Sequence, residues 1–194
     1  MKTFVNIAAA LLVAALAAVS CGGNGSGNTA GGGAATPAIE VDALLGGAAD
    51  LLGKEVTVEG ICTHICQHGG KKIFLMGTDD TQVIRIEAGD AIGAFDAGCV
   101  NNVVRVTGRL VEERIDEAYL EAWERRVAEA TDEQHGTGEG GCTTEKQARG
   151  ESQTASTAQR IADFRARIAD RQAREGKAYL SFYHVAGESY EILK

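Results

Sequence analysis

Cys62, His64, Cys66 and His68 occupy every second position of GICTHICQHGGKK, the stretch from Gly60 to Lys72. The whole chain has only 5 cysteines and 4 histidines, so this segment concentrates its sulfur and imidazole. Thiolates and imidazoles are ligands for zinc, and soft sulfur also suits copper(I). Strand geometry limits what they can do together. Neighbours on one face lie ~6.5 Å apart, so one adjacent pair can share an ion, whereas Cys62 and His68 stand ~20 Å apart when extended. A transition-metal centre here therefore takes His64 with Cys66, or Cys66 with His68. It completes its set from Cys142, His135, Cys99 or His184. The spacing also forbids a Cys62–Cys66 disulfide on an extended strand, since that bond needs Cα atoms within ~7 Å. The CxxCH pattern of c-type haem attachment is absent from the sequence.

The N-terminal segment gives the compartment in which such cysteines would work. Met1-Lys2-Thr3 is followed by an uncharged apolar run from Ile7 to Val19. That length suits a secretory signal and falls short of the ~20 apolar residues of a membrane span. The run ends in Ala18-Val19-Ser20-Cys21, which resembles the lipobox of bacterial lipoproteins, with alanine at position 18 where leucine is commoner. The resemblance implies that residues 1–20 are removed, that the Cys21 thiol is diacylated and that the new N-terminus is acylated. Multiple acyl chains make a stable anchor without a transmembrane helix, at ~0.8 kcal/mol per buried methylene. By resemblance to the sorting rule of Gram-negative lipoproteins, Gly22, where a sorting aspartate is lacking, implies the outer membrane; the rule leaves open the leaflet faced, and a periplasm-facing protein is the expectation. Residues 21–38 are almost all Gly, Ser, Asn and Ala and contain the only proline, Pro37, so they read as a lipidated flexible linker. Residues 39–194 are then one domain, long enough for a real core.

Charge and compartment narrow the chemistry. The formal net charge is −8, and loss of residues 1–20 removes Lys2 and no acid. An acidic chain gains nothing from the counterion release that drives nucleic-acid binding, so DNA and RNA are not expected partners. Exported cysteines commonly pair. With Cys21 lipidated, Cys62 or Cys66 has Cys99 as a possible partner, and Cys142 has the barrel. A third reading makes the cysteines small apolar fillers of strand positions and the histidines surface residues.

The elements that would position these residues follow from period. Val41, Leu44 and Leu45 predict a short helix capped by Asp42. Val56 and Val58 alternate as a first strand that runs into the Cys/His stretch. KIFLM and VIRIE are a second and a third strand, AIGAFD a short helix capped by Asp90, and Val100 to Val111 a long fourth strand. A bulge at Gly60 is expected, since it would turn Val56, Val58, Ile61, Thr63 and Ile65 inward and the Cys/His ladder outward. The period then becomes helical. Ile115, Tyr119, Ala122, Trp123, Val127 and Ala130 form one stripe. Ile161, Phe164 and Ile168 form another within Thr157 to Glu175, with Gly176 as its stop. AYLSFYHVAGESYEILK is the last strand.

The order of these strands, opening on LLGKEVTVEG, resembles an OB-fold barrel. The expected class is mainly β with an α insertion: a five-stranded OB-fold-like barrel with a two-helix hairpin, residues 113–176, between strands 4 and 5. With its CTHxC-xHGGKK stretch the chain also resembles Bacteroidetes-like lipoproteins that carry an OB-fold domain. That resemblance implies an address and a fold, and no activity.

OB barrels bind oligonucleotides and oligosaccharides on one face, and Lys71, Lys72 and Arg85, with Arg105 and Arg109, are the candidate ligand-binding residues there. Tyr179, Phe182, Tyr183 and Tyr190 either stack on a ligand or close the core. Ser181 beside His184 lacks a nucleophile elbow and an acid, so no catalytic set is expected. Two functions follow: an envelope binding module holding zinc or copper through the Cys/His strand, or an OB domain that binds an envelope protein or glycan without metal.

Overall fold

In the computed structural model, residues 37–67, 69–129 and 142–193 are described, and they belong to one compact unit, Thr36–Lys194. The strands are β1 (Ala38–Glu40), β2 (Glu55–Ile65), β3 (Lys72–Met76), β4 (Val83–Ala88), β5 (Val103–Asp116) and β6 (Tyr179–Leu193). The helices are α1 (Val41–Gly46), α2 (Ala48–Leu51), α3 (Glu117–Glu129), α4 (Thr143–Ala148) and α5 (Thr157–Glu175). β2, β3, β4, β6 and β5 follow one another around a sheet, and β2 also pairs with β5, so five strands close into a barrel. The β4–β6 contact is parallel and the other barrel contacts are antiparallel. This is an OB-like barrel with a helical insertion between its last two strands. β1 adds a short parallel edge to β2.

Alternation drives the closure. Val56, Val58, Ile73, Leu75, Ile84, Ile86, Val104, Val106, Leu110 and Val185 all face one core, joined by Val41 and Leu44 of α1. Fully burying each such side chain contributes roughly 1.5–3 kcal/mol. β5 and β6 then run on together, pairing as far as Asp116 with Tyr179. This extended pair carries a second core: Ile115, Leu120, Trp123, Ile161, Phe164 and Ile168, with Tyr119, Leu180 and Phe182 packed against it. The stripe of α5 is used here as read, with Trp123 and Phe164 ring centroids 6.3 Å apart, but that of α3 is not: Ile115 belongs to β5, Val127 is exposed, and Leu120, outside the expected stripe, is buried beside Trp123. α5 occupies the predicted span, with Ser156 and Gln159 in a reciprocal capping box and Gly176 in the left-handed conformation at its end.

Several expectations need correction. The bulge is not at Gly60, where β2 pairs with β5 in unbroken register. It lies between Cys62 and His64, opposite Leu75 and Phe74. Gly60 is required for close approach instead: a Cβ there would lie 2.8 Å from Val41 Cγ2 and 2.9 Å from the Met76 carbonyl oxygen. Consequently Cys62 points into the core, while Ile61 and Thr63 are exposed. Asp42 does not cap α1; Glu40 holds the cap position without a side-chain bond. Asp42 instead accepts from the Thr78 amide at 3.0 Å and its hydroxyl at 2.6 Å, tying α1 to the turn after β3. No helix forms over 91–96. The chain turns there and makes a 3-10 turn at Ala97–Cys99, capped by Asp96. β5 starts at Val103, after Asn101 takes a positive φ of 64°. α4 is an element that periodicity did not reveal.

Candidate functional site

Across β3, β4 and β6 the outward residues Phe74, Arg85 and His184 share one face; Arg85 pairs with Phe74 on one side and with His184 on the other. This is the barrel face that the insertion covers. α4 lies against β4, held by an ion-pair cluster. Arg85 donates from Nη1 to Glu145 at 2.7 Å and from Nη2 to Glu113 at 3.0 Å. Arg149, at the end of α4, donates to the same Glu113 oxygen at 2.8 Å. Lys72 Nζ stands 3.6 Å from Glu145 and 3.8 Å from Glu87. Burial works to raise the Glu113 pKa, but Arg149 and Arg85 outweigh it and hold Glu113 below the usual carboxylate range. His184 is driven the other way, below 6.5. Burial is the main cause, and the cations Arg85 and Lys72 add to it against the pull of Glu87 and Glu113. Its Nδ1 lies 3.3 Å from Arg85 Nη2, where the guanidinium donates and a neutral ring accepts.

Beside this cluster opens a cleft of about 360 Å3. Lys72, Arg85, Glu87 and His184 come from the barrel. Tyr119, Trp123 and Arg126 come from α3, and Glu145, Arg149, Glu151 and Arg160 from the rest of the insertion. Arg160 and Glu151 are both buried and paired at 2.5 Å. The Arg160 guanidinium also lies over the Trp123 ring, 4.7 Å from its centroid. Three residues of the walls carry a buried polar atom without a hydrogen-bond partner: Arg85 Nε, which has only an ion-pair approach of 3.2 Å to Glu87, the indole Nε1 of Trp123, a donor, and Glu151 Oε1, an acceptor. Such atoms are costly when unsatisfied, by about 1–3 kcal/mol each, and they call for an explanation. A second cleft, about 550 Å3, lies on the other side of the same Arg85–Glu145–Arg149 cluster and is walled by Leu45, Phe74, Val83 and Phe182.

The predicted metal-ligating residues are dispersed. Cys62 and Cys99 are fully buried in the barrel core. His64 is half-buried with its ring against Phe74, centroids 5.9 Å apart, and its Nε2 is buried without a partner. Cys66, half-buried, follows the end of β2. Cys142 caps α4, its Sγ accepting from the Glu145 amide at 3.4 Å. His68, His135 and Cys21 lie outside the described residues. Among the described residues no group of three or more His, Cys, Asp or Glu is placed to hold a metal ion. The outward Cys/His ladder is therefore cut at its first rung.

Of the predicted ligand-binding residues, Lys72 and Arg85 line the cleft, whereas Lys71 is exposed elsewhere. Arg105 pairs with Glu59 and Glu191, and Arg109 donates to the Gly53 carbonyl. Phe182 joins the insertion core, Tyr183 and Tyr190 pack on the barrel core, and Tyr179 lies between Arg114 and Arg171. Sequence reasoning missed Glu151 and Arg160. The available signal was Arg160 itself, which sits beside Ile161 at the start of an otherwise apolar buried face on α5.

No protein-family model matches the chain, and no curated protein matches it. Among solved structures, a chain described as an aspartyl-tRNA synthetase from Leishmania major Friedlin matches at 14% identity with a TM-score of 0.28. The match covers 44% of this chain and 18% of that one, too slight a likeness to bear on function.

Proposed function

We propose that the protein is a membrane-tethered envelope binding module that holds a glycan segment in the cleft between barrel and insertion. The observation that carries this reading is the unsatisfied pair in the cleft wall. A hydroxyl group is both donor and acceptor, so neighbouring sugar hydroxyls can accept from Trp123 Nε1 and donate to Glu151 Oε1. Over the whole wall four arginines and Lys72 stand against four glutamates, with Tyr119 and His184 beside them, and this near balance of charge suits a neutral polyhydroxylated ligand better than a strongly charged one. The size fits too, since small-ligand sites occupy ≈ 300–1,000 Å3. Nucleic acid is disfavoured on the same face. Arg85 and Lys72 are already paired with glutamates, α4 roofs the strands, and the chain carries −8. The anchor at Cys21 and the outer-membrane address are part of the proposal and rest on the lipobox-like Ala18–Cys21 alone. No helix among the described residues is long and apolar enough to cross a membrane.

Titration calorimetry with neutral N-acetylhexosamine oligosaccharides tests the binding reading. Heat of binding that falls at least tenfold in Glu151→Gln supports it. Equal binding by both proteins, or none by either, rejects it.

A further inference from the structure

The second cleft, about 550 Å3, has a wall unlike that of the first. Leu45, Phe74, Val83 and Phe182 give it an apolar floor, and Ala148 of α4 adds a small exposed side chain. Its charges do not cancel. Arg85, Arg149 and Arg167 stand against Asp80 and Glu145. Arg85 and Arg149 are already paired with Glu113 and Glu145. Asp80 accepts from Gln147 Nε2 at 3.5 Å, which ties the turn between β3 and β4 to α4.

Arg167 is the exception. Among the described residues nothing accepts a hydrogen bond from its guanidinium, and its Nη1 is buried without a partner. The carboxylate within ion-pair reach is that of Asp163, one turn earlier on the same helix, at 3.6 Å and more than half exposed. Aromatic rings hold the guanidinium in place instead. Its central carbon lies 5.2 Å from the Phe164 centroid and 5.9 Å from that of Phe182. Gly150, in left-handed backbone with a φ of 66°, follows α4 beside it; a Cβ there would stand 3.9 Å from Arg167 Nη2. The turn therefore lays no side chain over that nitrogen. An arginine keeps its proton, so what this one lacks is an anion. Carboxylates match the planar fork of a guanidinium.

We propose that this cleft binds a small monocarboxylate with an apolar body, the carboxylate against Arg167 and the hydrocarbon against Leu45, Val83 and Phe182. One anionic group is specified and not two, because a second would face Asp80 or Glu145. The volume lies in the range of small-ligand sites. The site is separate from the glycan cleft, with which it shares Arg85, Glu145 and Arg149, and it does not rest on the glycan reading.

The test is titration calorimetry of the full chain in phosphatidylcholine nanodiscs, with empty discs as the blank. The probes are butanoate, hexanoate, octanoate, 3-phenylpropanoate and octanamide, the neutral counterpart of octanoate. An acid should bind saturably, octanoate at least tenfold more tightly than octanamide. A gain of roughly fourfold per added methylene assigns an aliphatic body; tighter binding of 3-phenylpropanoate than of octanoate assigns an aromatic one. Arg167→Gln should weaken octanoate at least tenfold and leave octanamide unchanged. Ala148→Phe fills the cleft from an exposed position and should abolish binding of both acids with the urea midpoint unmoved, so the test holds even if Arg167→Gln fails to fold. No saturable binding of any acid, equal binding of octanoate and octanamide, or binding retained in Ala148→Phe overturns the proposal. If octanoate binds in this way and no oligosaccharide does, the glycan reading fails and this site stands.

Discussion

His184 and Gly60 show how single residues are constrained by what packs against them. His184 is half-buried among Arg85, Lys72, Glu87 and Glu113, and its pKa is held below the ordinary 6.5. The unfolded chain therefore takes up a proton near pH 6.5 while the folded protein does not. The sign follows: stability is unaffected by this group above that range, falls as pH drops through 6.5, and levels off below the folded pKa. Urea unfolding at a series of pH values should show this loss, and His184→Gln should flatten the curve in that window. An unchanged curve would assign the slope to other groups. At Gly60 the limit is steric. Gly60→Ala places a methyl against Val41 and the Met76 carbonyl and should lower stability by roughly 1–3 kcal/mol with no change in cleft binding. Equal midpoints in urea would show that α1 gives way.

At the scale of elements, α4 is the piece that turns a bare barrel face into a site. Six residues long, it has too little helix of its own to be stable alone, so its place depends on Arg85 reaching Glu145 and on Glu113 reaching Arg149. Glu145→Gln should cost roughly 1–3 kcal/mol, less than breaking a sealed ion pair because Glu113 and Glu87 still face Arg85. Arg165→Gln, on a more exposed bridge to Glu117 and Glu124, should change the urea midpoint little. How far these elements were legible depended on whether their causes were local. KIFLM, VIRIE and the span Thr157–Glu175 announce themselves by period, cap and stop, so β3, β4 and α5 appear where read. The place of the bulge was not legible, because Gly60 and Thr63 shift the alternation equally well; the tertiary approach of Val41 to Gly60 decides between them. α4 was missed because TTEKQA has no apolar stripe and docks by charge alone.

The whole molecule is an OB-like barrel whose outer face is partnered by its own insertion. Lys72 and Arg85 could be singled out from the strands that carry them, but not their partners. Glu113 comes from the end of β5, and Glu145, Glu151 and Arg160 come from across the insertion; only folding brings them to the same wall. The same folding separates Cys62 from Cys66, which the sequence placed on one ladder. What remains for a glycan is the cleft and its unpaired donor and acceptor. The chain has a single tryptophan, so one indole N–H resonance in a nitrogen–proton correlation spectrum reports on Trp123 Nε1 alone. Titration with N-acetylhexosamine oligosaccharides should move that resonance saturably in the native protein and leave it in place in Glu151→Gln. A resonance unmoved in the native protein at millimolar oligosaccharide would contradict the cleft as a glycan site.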